Sequence, residues 1–458
     1  MLKKATADHN VLSNYRPISN LAYSSKLIER VVSKRLEDHC LHNKVNLHFQ
    51  SAYKQRHSTE TALTRVQNDL LMAVDSLGGA ILVLLDLSAA FDTIDHAVLI
   101  RTLKNYIGVS GSALAWFMSY LSDREQSIKI ANTLSTSRNL PYGVPQGSVL
   151  GPQLFSLYTL PLHHVIEPSG MQFHMYADDT QLYIAFNPKD PVSSHNIIET
   201  INSCTNNIST WMKSHFLKLN SDKTELLVMT KPNLKSHGLT SLSICGSDIS
   251  VSPDVRDLGV QYDSLLKMET HIKQICKKAY YQISLIHKVR QYLTEDSVRK
   301  LVQANITSLL DYCNGLLIGL PCSLLSKLQR VQNCAARVVK CVPQSTHITP
   351  ILKELHWLPI KYRIDFKVIL LTFKALNGLA PPYLSELLTP YQPSRALRSM
   401  NSNTLVTKSF KCKTYGGRSF ANIAPQLWNS LPSHLRTIPE ETVFRKTLKT
   451  YLFNLAFN

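Results

Sequence analysis

Two adjacent carboxylates, Asp178 and Asp179, follow the apolar lead-in Phe173-His174-Met175-Tyr176. Like charges this close resist joint ionisation, and apolar strands around them make the penalty worse. A fold that keeps the pair must either supply a cation or leave the two acids in a polar turn. A third acid narrows that choice. Asp86 ends the run Ala80-Ile81-Leu82-Val83-Leu84-Leu85, which reads as a buried strand. Asp178 lies 92 positions later, so the chain has room to return and lay a hairpin beside that strand. Three carboxylates on two neighbouring strands can hold two metal ions about 3.5–4 Å apart, the arrangement used for in-line phosphoryl transfer. Mg²⁺ takes oxygen ligands and is commonly held by one or two carboxylates plus substrate phosphates.

The rest of the pattern predicts α+β architecture, with strands and helices interleaved around a half-exposed sheet. Helices are expected over 28–41, 59–77, 97–120 with a break at Gly108–Gly111, 154–160 and 197–217. In the first of these, Ile28, Val31, Val32 and Leu36 share one side. Strands are expected over 126–130, 137–142, 225–229 and 242–245. After residue 265 the pattern turns mainly helical, with Leu328, Val331, Ala335, Val338 and Val342 at helical spacing and a further helix over 361–376. Pro381-Pro382 and the stretch 390–404 read as loops or linkers.

A series of blocks then appears in a fixed order. They are Asn14-Tyr15-Arg16-Pro17-Ile18-Ser19; Gln50-Ser51-Ala52-Tyr53 with His57-Ser58-Thr59-Glu60-Thr61-Ala62; and Leu85-Asp86-Leu87-Ser88-Ala89-Ala90-Phe91-Asp92. Gly143-Val144-Pro145-Gln146-Gly147-Ser148 follows, then Tyr176-Ala177-Asp178-Asp179, Leu217-Lys218-Leu219-Asn220 with Lys223, and Leu258-Gly259-Val260. In this order the chain resembles the reverse transcriptase of non-LTR (LINE-type) retrotransposons, of the CR1/L2/Rex-like group. The resemblance extends to the C-terminal part through Leu328-Gln329-Arg330, His356-Trp357-Leu358-Pro359 and Leu427-Trp428-Asn429-Ser430-Leu431-Pro432. It implies a right-hand polymerase with partial fingers, a palm built on an antiparallel sheet and a helical thumb. Residues 1–264 are then fingers and palm, 265–345 a thumb-like region and 346–458 a basic C-terminal region. The endonuclease usual in that family is expected to be lacking.

The implied reaction is RNA-directed DNA synthesis, with an RNA template, a DNA primer and dNTPs as partners. Asp86, Asp178 and Asp179 are expected to be the catalytic, metal-holding residues for two Mg²⁺ ions, with Mn²⁺ a substitute. Leu87, Phe91, Gln146, Gly147, Lys223 and Arg16 are expected around the nucleotide. Phe91 takes the family's aromatic position under the sugar, which excludes a 2′-hydroxyl; it also fits a core phenylalanine. Lys223 fits a triphosphate contact, a general acid for pyrophosphate, or a solvated lysine after a strand. Lys3, Lys4 and Arg16 are candidate phosphate or template contacts from the fingers. Asp92 and Asp95 are assigned to turns and hydrogen bonds.

Charge adds a further signal. The net charge is +18 over 458 residues, but residues 1–264 hold 23 Lys+Arg against 23 Asp+Glu. Residues 265–458 hold 27 against 9, so the whole excess lies behind the polymerase blocks. A localised basic excess suits a polyanion-binding surface. Lys273, Lys277, Lys278, Lys288 and Arg290, around Tyr280 and Tyr281, resemble a thumb helix tracking a template–primer duplex; the same pattern fits an amphipathic helix with a solvated face. Nine scattered cysteines with no C-x-x-C suit reduced thiols in an intracellular protein, nuclear or cytoplasmic. No apolar run reaches the ~20 residues of a membrane span. The alternative to an active polymerase is a catalytically silent, retrotransposon-derived nucleic-acid-binding protein.

Overall fold

The computed structural model describes residues 8, 10–11, 14–15, 18–45, 48–130, 132–234, 239–244, 246–392 and 403–458. Its centre is a four-stranded antiparallel sheet in the order β4-β1-β3-β2. The strands are β1 (Gly79–Leu85), β2 (Gln172–Tyr176), β3 (Asp179–Phe186) and β4 (Glu225–Thr230). The helices that matter here are α1 (Tyr23–His42), α2 (Thr59–Ser76), α3 (Gly151–Tyr158) and α4 (Pro191–Ser214). Beyond the palm run α5 (Glu269–Val289), α6 (Cys322–Lys340), α7 (Ile360–Leu376), α8 (Phe420–Asn429) and α9 (Glu441–Phe457).

Both faces of the sheet are covered, which corrects the half-exposed sheet expected from sequence. On one face Ala80 and Leu82 of β1 pack with Leu63, Val66 and Leu70 of α2. On the other, Ile81, Val83 and Leu85 pack with Leu154 and Phe155 of α3 and Ile201 and Ile208 of α4. A strand buried on two faces has no polar alternation, which is why residues 80–85 are apolar throughout. Helix α2 starts cleanly because Ser58 and Thr61 form a reciprocal capping box.

The first core cluster does not end with the palm. It continues through Ile272 and Ile283 of α5 and Val331 and Ala335 of α6. A separate cluster, containing Phe373, Tyr383, Trp428 and Phe444, lies within the C-terminal part. That part is tied to α2 by polar contacts. Asp75 accepts the N–H groups of Lys411 and Cys412 at 2.8 and 2.7 Å, and Asn68 accepts that of Ala421 at 2.9 Å.

Most expected elements are found with shifted ends. The helix expected over 28–41 begins at Tyr23; Leu36 is buried and Val32 partly so, whereas Ile28 and Val31 face solvent. The break at Gly108–Gly111 separates helices His96–Asn105 and Gly111–Leu121. The strands expected over 126–130 and 137–142 pair with each other only as the two-residue ladder Glu125–Gln126 with Arg138–Asn139. Cys245 and most of 390–404 lie outside the described residues.

A hairpin of β5 (Asp254–Asp257) and β6 (Val260–Asp263) lies against the palm, with its turn at Leu258-Gly259, where φ is 42° and 87°. Asp257 is buried. Its Oδ1 accepts from Gln181 Nε2 at 2.6 Å, and its Oδ2 has no hydrogen-bond partner among the described residues. Burial pushes its carboxyl up to about 7, aided by Asp179 and Glu225 and opposed by the Gln181 hydrogen bond. The stability carried by the protonated acid is complete below the ordinary carboxylate range and is lost as pH rises through about 7. Asp257→Asn, an uncharged near-isostere, should raise the unfolding free energy by about 4 kcal/mol at pH 8 and change it little at pH 4. Denaturant melts at the two pH values check this.

Candidate active site

Strand register delivers the acids to one edge. Leu85 pairs with Thr180, and Tyr176 pairs with Asp179 across the β2–β3 hairpin. Asp86, the next residue after Leu85, therefore stands beside Asp179, and Asp178 sits in the two-residue turn. The other turn residue, Ala177, has a left-handed φ of 57°. A non-glycine residue there is uncommon and needs support from its surroundings. Gln50 supplies it: its Oε1 accepts the N–H groups of Ala177 at 3.3 Å and Ala52 at 2.9 Å. The segment around Gln50 also lies along the free edge of β2. Met175 donates to the Phe49 carbonyl at 2.7 Å, and Ser51 donates to that of Met175 at 3.0 Å.

The electrostatics are those of crowded carboxylates. Asp179 is pushed up to about 6, first by burial, then by Asp178 and Asp86; Lys223 opposes the shift. Lys223 Nζ donates to Asp86 Oδ2 at 2.7 Å. Its position is fixed by the chain before β4, where Leu219 pairs with Leu87 and Asn220 donates to the Asp86 carbonyl at 2.9 Å. A crevice of about 470 Å³ opens here, bounded by Asp86, Asp179, Lys223, Arg256 and Leu258. Arg256 carried no signal in the sequence, since it reaches the crevice only through the β5–β6 hairpin.

The donor set is all oxygen, which suits hard divalent cations. A cation would also relieve the like-charge load on Asp179. The oxygens of Asp86, Asp178 and Asp179 do not form a group lying wholly within 4.8 Å; among the described residues His163, His164 and Glu167 do.

Among the expected nucleotide residues, Phe91 and the loop that holds Gln146 and Gly147 are tied together. The Phe91 ring lies 4.9 Å from that of buried Phe155, and the Phe91 carbonyl accepts from Val144 at 2.8 Å. Gln146 Nε2 donates to both oxygens of Asp92 at 2.9 Å, which ties the loop of residues 143–147 to the turn that carries Phe91. At Gly147, φ is 113°, and a Cβ would lie 3.3 Å from the Ser19 carbonyl oxygen. Leu87 buries its side chain, so only its backbone can meet a nucleotide. Asp95 caps the following helix by accepting from Val98 at 2.8 Å. Lys3, Lys4 and Arg16 lie outside the described residues. Glu29 had no expected role. It is buried in α1 and accepts from Val149 at 2.6 Å and Leu150 at 3.1 Å, placing a carboxylate at the N-terminus of α3.

On α5, Lys273, Lys277, Lys278 and Lys288 are exposed, and none makes an ion pair among the described residues. Tyr280 and Tyr281 are exposed beside them. Arg290 departs from the expectation. Its guanidinium donates to the carbonyls of Val338, Leu293 and Val339 at 2.9, 2.9 and 3.0 Å, so three of its five N–H donors close the C-terminal end of α6 and the turn at Leu293 in place of a phosphate. No helix among the described residues is long and apolar enough to cross a membrane.

The chain is 27% identical over 381 residues to the probable RNA-directed DNA polymerase from transposon BS of Drosophila melanogaster, a match covering 80% of this chain and 40% of that protein. It is 26% identical over 349 residues to the probable RNA-directed DNA polymerase from transposon X-element of the same species, covering 74% of this chain and 37% of the relative. The chain thus spans well under half the length of these relatives. A solved telomerase from Candida albicans aligns with a TM-score of 0.36 at 14% identity, over 75% of this chain and 55% of that one. The family model for reverse transcriptase (RNA-dependent DNA polymerase) matches residues 2–262. That span is more than half of the chain and carries every acid of the site, so the chain belongs to the reverse transcriptase family.

Proposed function

We propose that the protein is an RNA-directed DNA polymerase that adds dNTPs to a primer 3′-hydroxyl on an RNA template. The observation that carries this reading is the register that sets Asp86 beside the Asp178-Asp179 turn in a chain of this family. Asp86, Asp178 and Asp179 hold two Mg²⁺ ions, with Mn²⁺ a substitute. When bound, the ions lower the pKa of the primer hydroxyl and neutralise the triphosphate and the leaving pyrophosphate.

In this reading the 3′-hydroxyl gives up its proton to water and its oxygen bonds to the α-phosphorus as the bond from that phosphorus to pyrophosphate breaks. Lys223 releases Asp86 and turns to the triphosphate, where it neutralises charge or protonates the pyrophosphate. Phe91, propped by Phe155, forms the floor under the sugar. Gln146 and Gly147 shape the wall that meets the base pair. Residues 1–264 act as fingers and palm, 265–345 as the thumb and 346–458 as a basic C-terminal region. Lys273, Lys277, Lys278 and Lys288 follow the phosphates of the template–primer, giving affinity without sequence readout.

Primer extension on a homopolymer template tests the reading, with and without Mg²⁺. Asp178→Asn should lower the extension rate by about 10³-fold or more, the scale of losing several kcal/mol of transition-state stabilisation, with the fold retained in circular dichroism. Near-normal extension would remove the metal assignment.

Phe91→Val should raise incorporation of rNTP relative to dNTP by roughly 10-fold or more, because the wall against the 2′-hydroxyl is cut back. Competition assays read the ratio directly, and an unchanged ratio returns Phe91 to the core.

Replacing Lys273, Lys277 and Lys278 together with Gln should weaken template–primer binding and flatten its salt slope by about 0.9 for each phosphate that is no longer neutralised. Titrations of the full chain at several salt concentrations measure it.

A further inference from the structure

Tyr383 reaches the catalytic hairpin from the far end of the chain. It lies in the short helix Pro382–Ser385 and is fully buried. Its ring meets His174 of β2 edge-on at 5.0 Å and stacks with Phe49 at 6.4 Å. Its hydroxyl stands 2.8 Å from Ser51 Oγ and 3.0 Å from Thr61 Oγ1, and Ser51 Oγ is 2.8 Å from His174 Nε2.

The proton count fixes the direction of this chain of bonds. Each hydroxyl has one proton to give. Thr61 gives its proton to the Ser58 carbonyl at 2.9 Å, so it accepts from Tyr383. Tyr383 then has none left for Ser51 and accepts from it. Ser51 in turn accepts from His174, whose Nε2 carries the proton. His174 Nε2 is therefore a donor, and Nδ1 has no partner among the described residues. Complete burial of His174, near the cations of Arg65 and Lys54, favours the neutral ring.

Two members of the chain belong to the support of the catalytic turn. His174 lies on β2, three residues before Ala177. Ser51 directly follows Gln50, which caps the Ala177 N–H, and its own N–H pairs with Met175. We propose that Tyr383 is a positioning residue for the catalytic turn: its hydroxyl locks Ser51 to His174, and so holds the Gln50 cap on Ala177 and the aim of Asp178 and Asp179. The C-terminal region would then complete the polymerase site as well as carry basic charge. The inference rests on the reading of Asp86, Asp178 and Asp179 as metal-holding catalytic acids.

The test uses the full chain with Tyr383→Phe, which keeps the ring and removes the hydroxyl. Tyr362→Phe is the control; its hydroxyl donates to the Leu455 carbonyl at 3.0 Å, within the C-terminal part. Three readouts are taken: single-nucleotide extension, Mn²⁺ binding by electron paramagnetic resonance, and hydrogen exchange of the amides at 175–179. Tyr383→Phe removes the hydroxyl's bonds to both Thr61 and Ser51, and loss of the Ser51 bond from the catalytic support should lower kcat about 10-fold. KM for dNTP should stay within about two-fold, because the nucleotide wall is untouched. Mn²⁺ affinity should fall and exchange at the turn should quicken, with Tyr362→Phe like the parent in all three. Equal losses in both variants, or parent-like behaviour of Tyr383→Phe, would overturn the proposal. If Tyr383→Phe does not fold, Ser51→Ala breaks the same chain and carries the same expectation. If the parent chain neither extends primers nor binds Mn²⁺, the polymerase reading fails by itself. Exchange at 175–179 then decides the clamp: faster in Tyr383→Phe supports it, unchanged refutes it.

Discussion

Repulsion among Asp86, Asp178 and Asp179 is the constraint that the surrounding structure answers. Three carboxylates at one sheet edge, one of them pushed up to about 6, are unfavourable unless something holds them and something neutralises them. The holding comes from the backbone. β1 is trapped between two apolar layers, so it cannot slide, and its register with β3 fixes Asp86 against Asp179. Because side chains alternate with period two, a slip of one residue would turn Asp86 into a core and expose a leucine. The neutralising comes in part from Lys223 on Asp86, which the Leu87–Leu219 ladder brings into reach.

Around that edge, short polar contacts join segments far apart in sequence. Glu29 of α1 sits at the start of α3, Gln146 is tied to Asp92, and Gln50 caps Ala177. The Gln146 and Gln50 contacts fix loops that the proposed function assigns to the nucleotide and the metal. Binding loops held by a rigid scaffold can be strained locally, as Ala177 is, because the rest of the structure over-determines them.

The region behind the palm is bound into this scheme more closely than its charge suggests. Its first helices share a hydrophobic cluster with α2 and the sheet, and its later part anchors on Asp75, Asn68 and the Ser51–His174 pair. The basic excess and the structural role coexist on different sides of the same helices. On α5, Ile272, Ile275 and Ile283 face the core, while Lys273, Lys277 and Lys278 face solvent.

The sequence by itself determined the chemistry-bearing residues and the elements that carry them. Asp86 at the end of an apolar run, the Asp178-Asp179 pair, and the ordered blocks around Phe91 and Gln146 are local patterns, legible because strand burial and turn chemistry are written in neighbouring residues. Tertiary structure alone decided which of these residues are already spoken for. Arg290 looked like a phosphate ligand, yet three of its five N–H donors are spent on backbone carbonyls. Tyr383 directly follows Pro381-Pro382, which read as a loop or linker, yet it reaches Ser51, 332 positions away. Hydrogen-bond partners across such separations depend on how layers pack, and no short-range period or spacing records that. The same holds for Arg256 at the crevice and for Glu29 under α3: both are ordinary charged residues until the fold places a partner or a cavity beside them.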